Sequence, residues 1–240
     1  MGTVEAFQDR LARIEERIAA ACARAGRARG EVKLMAVSKV HPASALAEAV
    51  AAGVTLFGEN RVQEYQQKAA ELNAMGVEGA EVHLIGHLQS NKTAKAAELF
   101  DGVDTVDSLR VAERLNDAAA QRGKPLPVLL EMKLSDEAAK TGLDPAGDEL
   151  RLLLERLPEM PHLAMRGLMT VAPLEGDPEC ARRCFQKLRD LRDELARSHA
   201  RLDFSELSMG MSGDFEAAID EGSTIVRIGT ALFGARAKQP

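Results

Sequence analysis

Lys33-Leu-Met-Ala-Val-Ser-Lys-Val-His-Pro42 decides how this chain of 240 residues is read. Leu34 to Val37 form an unbroken apolar run, Pro42 stops its continuation, and Ala43 to Ala52 reads as a helix, so Lys39 falls at a strand-to-helix junction. In an α/β barrel such junctions present the chemistry. A lysine placed there loses its proton readily when buried or set beside another cation, and the neutral amine attacks an aldehyde to give a Schiff base. A solvated lysine at the end of a strand is the plainer alternative.

Outward from this stretch, the far end of the chain supplies a complement. Ser223-Thr-Ile-Val-Arg-Ile-Gly-Thr-Ala-Leu-Phe-Gly-Ala-Arg236 begins as a β-branched strand, passes through Arg227 and breaks at Gly229-Thr230. Backbone amides at such a break suit a phosphate, because glycine permits close approach and the first turn of a helix leaves N–H groups unpaired. In a (β/α)8 barrel the loops after the last two strands frequently form a phosphate site. Gly210-Met-Ser-Gly-Asp214, after a strand ending near Met209, is the other such loop, with Ser208, Ser212 and the adjacent amides as donors.

These segments join others in order: Ala36-Val-Ser-Lys39, Phe57-Gly-Glu-Asn-Arg-Val-Gln-Glu64, His83-Leu-Ile-Gly-His-Leu-Gln-Ser-Asn-Lys92, Gly167-Leu-Met-Thr170, Ser208-Met-Gly-Met-Ser212 and Val226 to Arg236. The series resembles the signatures of the pyridoxal phosphate homeostasis protein family from about Lys33 to Arg236. The resemblance implies one α/β domain over residues 1–240. Its fold would be a single (β/α)8 TIM-type barrel of the alanine racemase N-terminal domain kind, with no C-terminal β-domain. It also implies that pyridoxal 5'-phosphate (PLP) is held on a lysine, here Lys39, without a strong reaction of the protein's own.

Composition agrees with that frame. A length of 240 residues is ordinary for one α/β barrel, and a net charge of −6 argues against a general nucleic-acid or anionic-membrane surface. Cys22, Cys180 and Cys184 form no paired metal signature, and their odd number without a signal peptide fits a reducing, cytoplasmic setting. No apolar run approaches the ~20 residues needed to span a bilayer. Val4, Phe7, Leu11, Ile14 and Ile18 recur at helical spacing, so residues 1–27 read as an amphipathic helix packed on the barrel.

Eight apolar runs alternating with helices predict parallel strands, at 34–37, 54–57, 82–85, 103–106, 127–132, 165–170, 206–209 and from Thr224. Asn60 lies on the loop after the second strand, placed either to bond the ring hydroxyl oxygen of a pyridoxal or to cap the next helix. His83 and His87 are four apart but lie in a strand and a loop, which excludes the helical two-histidine metal motif. Ser90, Asn91 and Lys92 suit a site lining or a cap equally, and Lys140 and Gly142 are where a gating role in the loop after strand five would fall. No metal site is expected.

Lys39, Asn60, Ser208, Met209, Ser212, Arg227, Gly229 and Thr230 are therefore the candidate cofactor-binding residues. In the related racemase barrel an arginine two residues before the phosphate-binding glycine faces the ring nitrogen, and Arg227 stands so to Gly229, with contact to the phosphate as its alternative role. The racemases also use a tyrosine from their C-terminal domain as second base, whereas Tyr65 here lies in a helical pattern. The expected role is thus a non-enzymatic PLP carrier or buffer, monomeric, passing PLP to PLP-dependent apoenzymes. The alternatives are a weak PLP-dependent amino-acid racemase or decarboxylase, and a barrel aldolase using Lys39 directly on a sugar phosphate.

Overall fold

The computed structural model describes residues 2–134, 141–173 and 178–234, without the side chains of residues 2–6 and 178. Its eight strands are β1 (Lys33–Val37), β2 (Leu56–Glu59), β3 (Glu81–Leu84), β4 (Gly102–Val106), β5 (Leu126–Glu131), β6 (Leu163–Met169), β7 (Glu206–Ser208) and β8 (Ile225–Ile228). They pair in parallel in chain order, and β1 closes on β8 through Met35 opposite Arg227 and Ala36 opposite Ile228. This is the closed barrel expected from the alternating pattern. Between the strands run α2 (Ala43–Ala51), α3 (Val62–Ala74), α4 (Thr93–Leu99), α5 (Leu109–Ala119), α6 (Asp148–Arg156), α7 (Pro178–Ser198) and α8 (Phe215–Asp220), while α1 (Gly2–Arg24) precedes β1 and α9 (Thr230–Phe233) follows β8.

The apolar side chains separate into two cores because successive strand residues face opposite sides of a sheet. Phe57, Leu84, Leu130, Leu168, Phe185 and Phe215 belong to the large core, which also holds the apolar faces of the helices. Met35, Leu56, Leu129, Met169 and Ile225 make a much smaller second core. The small core leaves room in the barrel for charged groups: His83, Asp104, Glu131 and Arg227 are all buried.

Helix α1 covers the seam where β8 meets β1. Phe7, Ile14 and Ile18 are buried, each such side chain contributing about 1.5–3 kcal/mol. The Phe7 ring lies 5.5 Å from Phe233 of α9, and the Arg17 guanidinium sits 4.6 Å above the Phe215 ring of α8. The helix ends at Arg24, three residues earlier than its periodicity suggested. Gly26 adopts a left-handed φ of +67°, and the Arg27 N–H returns to the Cys22 carbonyl, a pairing that terminates a helix.

Strand boundaries shift in one instructive place. The sequence suggested a second strand over 54–57 followed by a loop, yet β2 runs to Glu59. A carboxylate continues the strand because Lys68 of α3 pairs with it in the interior. Among the described residues all eight strands belong to the barrel, and no helix is long and apolar enough to cross a membrane.

Candidate functional site

The C-terminal rim of the barrel gathers most of the predicted residues. Lys39 lies in the turn directly after β1, half-buried. Gly229 follows β8, the neighbouring strand, and a Cβ built on it would stand 3.4 Å from Cβ and O of Val37. The amine-bearing turn and the glycine break are therefore adjacent on one rim.

The amides of that break are open to a ligand. Among the described residues no hydrogen-bond partner is found for the backbone N–H groups of Thr230 and Ala231, or for those of Ser212 and Gly213 in the turn before α8. Donors left unpaired at chain turns are what a phosphate requires. Ser212 is half-buried beside Asp214, whose Oδ1 accepts the Met211 N–H at 2.5 Å. Met209 is placed differently: its side chain is wholly buried and its N–H donates to the Ile225 carbonyl, so it serves the sheet.

Arg227 is the electrostatic centre of the barrel. Its Nη1 donates to Ser208 Oγ at 2.7 Å and its Nη2 to the Thr170 carbonyl at 2.8 Å, while Thr170 Oγ1 donates to the Met132 carbonyl at 2.9 Å. Burial pushes the guanidinium pKa down, and Asp104, Asp214 and Glu131 oppose that shift. Ser208 is thus engaged by Arg227. Burial raises the carboxyl pKa of Glu131. Its Oε1 accepts from Thr141 Oγ1 at 3.2 Å, and its Oε2 has no partner among the described residues.

Asn60 does not cap α3, whose N-cap is Arg61, and Arg61 makes no side-chain cap bond. The cap expected as one option for Asn60 is therefore not found. It lines a cleft of about 360 Å³ together with Arg61, Gly86, His87, Gln89 and Lys92. His87 Nδ1 lies 3.0 Å from Asp107 Oδ2, and buried His83 Nδ1 sits 2.8 Å from Asp104 Oδ1. Among the described residues no cluster of three or more His, Cys, Asp or Glu side chains is placed to hold a metal ion. Lys140 lies outside the described residues, and Gly142 sits at φ +121° beside the Met132–Leu143 bridge.

Three residues next to Lys39 escaped the sequence reading. Glu59 Oε1 accepts from Ser38 Oγ at 2.7 Å and pairs with Lys68 Nζ at 2.5 Å, Lys68 Nζ also donates to the Ser38 carbonyl at 2.9 Å, and Glu64 Oε1 accepts the Val40 N–H at 2.7 Å. Burial raises the Glu59 pKa against the pull of Lys68 and Ser38. Val40 itself has φ +60°, a strained conformation for a β-branched residue that costs on the order of 1–3 kcal/mol. The i, i+4 spacing of Glu64 and Lys68 was the available signal.

A sequence model of the alanine racemase N-terminal domain matches residues 10–237. Pyridoxal phosphate homeostasis proteins of Escherichia coli K12 and Haemophilus influenzae are 46% and 42% identical over 227 and 231 residues, spanning 94% and 96% of this chain and 95% and 96% of theirs. The chain belongs to the pyridoxal phosphate homeostasis protein family. The structure of PipY from Synechococcus elongatus with PLP bound superposes with a TM-score of 0.84 at 41% identity, covering 95% of this chain and all of PipY. An alanine racemase of Clostridium difficile, 18% identical with a TM-score of 0.66, is covered over 54% of its length and shares the fold alone.

Proposed function

We propose that this chain binds PLP at the rim between β1 and β8 and serves in intracellular vitamin B6 homeostasis by holding and handing over the cofactor. The observation that supports the reading is the closeness of the Gly229 break to Val37, where a Cβ built on Gly229 would stand 3.4 Å from Val37, so that the turn bearing Lys39 and the unpaired amides share one rim. When bound, PLP supplies an aldehyde for covalent attachment to an amine. Lys39 provides that amine. The amides of Ser212, Gly213, Thr230 and Ala231 hold the phosphate, Asn60 addresses the ring hydroxyl, and Arg227 is the partner for the ring nitrogen. A guanidinium donates without accepting, so it disfavours ring protonation and weakens the electron sink that amino-acid chemistry needs.

The racemase alternative needs a second proton-transfer base. The chain's one tyrosine, Tyr65, is buried with its ring 4.8 Å from Phe100, and burial, with Asp101 and Glu59, pushes its phenol up to about 12. That placement favours a carrier over a two-base enzyme. PLP-dependent apoenzymes are the recipients, and a reducing cytoplasm suits Cys22, Cys180 and Cys184, which are not joined by a disulfide.

Borohydride reduction of the PLP-loaded protein followed by mass spectrometry is expected to find the pyridoxyl group on Lys39 and to find none on the folded Lys39→Ala variant. A label on another lysine refutes the assignment. Arg227→Gln keeps the covalent link but releases PLP faster than the parent, and a release rate equal to the parent's counts against that role. Rapid turnover of added amino acids, seen as α-proton exchange, rules out the carrier reading.

A further inference from the structure

Helix α3 grips the turn that carries Lys39 on both sides. On the near side Ser38 is fully buried, its carbonyl bonded by Lys68 Nζ at 2.9 Å and its hydroxyl by Glu59 Oε1 at 2.7 Å, with Glu59 also buried. On the far side the Val40 N–H meets Glu64 Oε1 at 2.7 Å. Val40 is 58% exposed and holds φ +60°. A β-branched residue leaves that conformation unless its surroundings impose it. An exposed valine has little packing to impose it; the turn bond from the His41 N–H to the Ser38 carbonyl at 3.1 Å spans the residue, and the Glu64 bond is the restraint on the Val40 N–H itself.

From this geometry we infer that Glu64 and Lys68 are positioning residues for Lys39: α3 clamps residues 38 and 40, fixes where the amine between them is presented, and so sets how fast PLP leaves. The inference rests on the reading of Lys39 as the PLP lysine. It goes beyond that reading in assigning the control of retention to a helix outside the barrel wall. The left-handed turn is the position the clamp holds, and releasing the Val40 N–H lets the turn relax away from it.

Glu64 is half-buried at the surface, so its variants test the clamp without emptying the core. Two measurements are made on each: amide hydrogen exchange at Val40 in the PLP-free protein, and the rate of PLP transfer from loaded protein to an excess of a PLP-free apoenzyme. Glu64→Ala removes the acceptor, and both rates are expected to rise roughly tenfold, the factor that 1.4 kcal/mol corresponds to. Glu64→Gln keeps an oxygen acceptor in place and is expected within about twofold of the parent in both.

If Glu64→Ala lowers thermal stability while leaving Val40 exchange and PLP release unchanged, Glu64 is merely structural and the clamp is overturned. If Glu64→Gln releases PLP as fast as Glu64→Ala, charge and not the hydrogen bond is responsible, which also overturns it. Lys39→Ala, measured alongside, separates the two levels. Covalent PLP on that variant refutes the lysine assignment, whereas Val40 exchange in PLP-free protein reports on the clamp alone.

Discussion

The charged pair inside the barrel makes a test of the electrostatics that needs no ligand. His83 is buried between Asp104, 2.8 Å from Nδ1, and Glu81, 3.0 Å from Nε2. Burial alone would lower the imidazole pKa, but the two carboxylates outweigh it and raise the value from 6.5 to about 10. A folded pKa above the unfolded one means that the folded state holds a proton the unfolded state has shed. The resulting stabilisation is fully present below about pH 6.5 and is lost as pH rises to about 10. At about 1.36 kcal/mol per pKa unit the ceiling is near 5 kcal/mol. Because the Glu81 side chain is 58% exposed and screened by solvent, roughly half that figure is expected. His83→Gln removes the titrating group and serves as the reference. Urea unfolding of both proteins at about pH 6, 7.5 and 9 is expected to show the parent's advantage over His83→Gln shrinking by 2–3 kcal/mol. A difference that stays constant across this range shows a neutral imidazole and refutes the charged pair.

Gly102→Ala places a Cβ 2.6 Å from Cε1 and Nε2 of the His83 ring, which its two carboxylate bonds pin in place. The overpacking is expected to cost about 1–3 kcal/mol in denaturant unfolding, and a loss below about 0.5 kcal/mol shows that the ring yields. Lys68→Met leaves the Glu59 carboxylate buried without its cation and is expected to cost about 3–5 kcal/mol near neutral pH. Burial already raises the Glu59 pKa, so this variant should regain stability as pH falls and the carboxyl takes a proton. Stability independent of pH in Lys68→Met contradicts that. Ser108→Ala removes the cap bond to the Val111 N–H, 3.4 Å long, and should cost about 1 kcal/mol, checked by the unfolding midpoint.

Barrel topology was legible because the apolar runs and helix-forming runs alternate at lengths that only parallel strands satisfy. The placement of Lys39 after β1 and of Gly229 and Thr230 after β8 was legible as well, since glycine and proline mark loop positions directly in sequence. Glu59, Asp104 and Glu131 were not, because a carboxylate within or at the end of a strand reads as a polar surface position until its partner is known. That partner lies on another element: Lys68 on α3 for Glu59, His83 on β3 for Asp104. Val40 gave no signal either, since valine ordinarily favours extended backbone and the partner of its N–H, Glu64, lies on α3. Met209 was read as a cofactor-binding candidate at the end of a strand, but its side chain is buried and its N–H bonds the Ile225 carbonyl of β8.

Closure of β1 on β8 has a thermodynamic consequence. Lys39 and the unpaired amides of Thr230 and Ala231 lie far apart in the chain, and the pairing of β1 with β8 brings their loops together. A cofactor that bridges them binds the closed state and not the open chain, and therefore adds its binding free energy to that of folding. Cells short of vitamin B6 would then carry this protein in a less stable form, with its own turnover tied to the supply of the molecule it keeps.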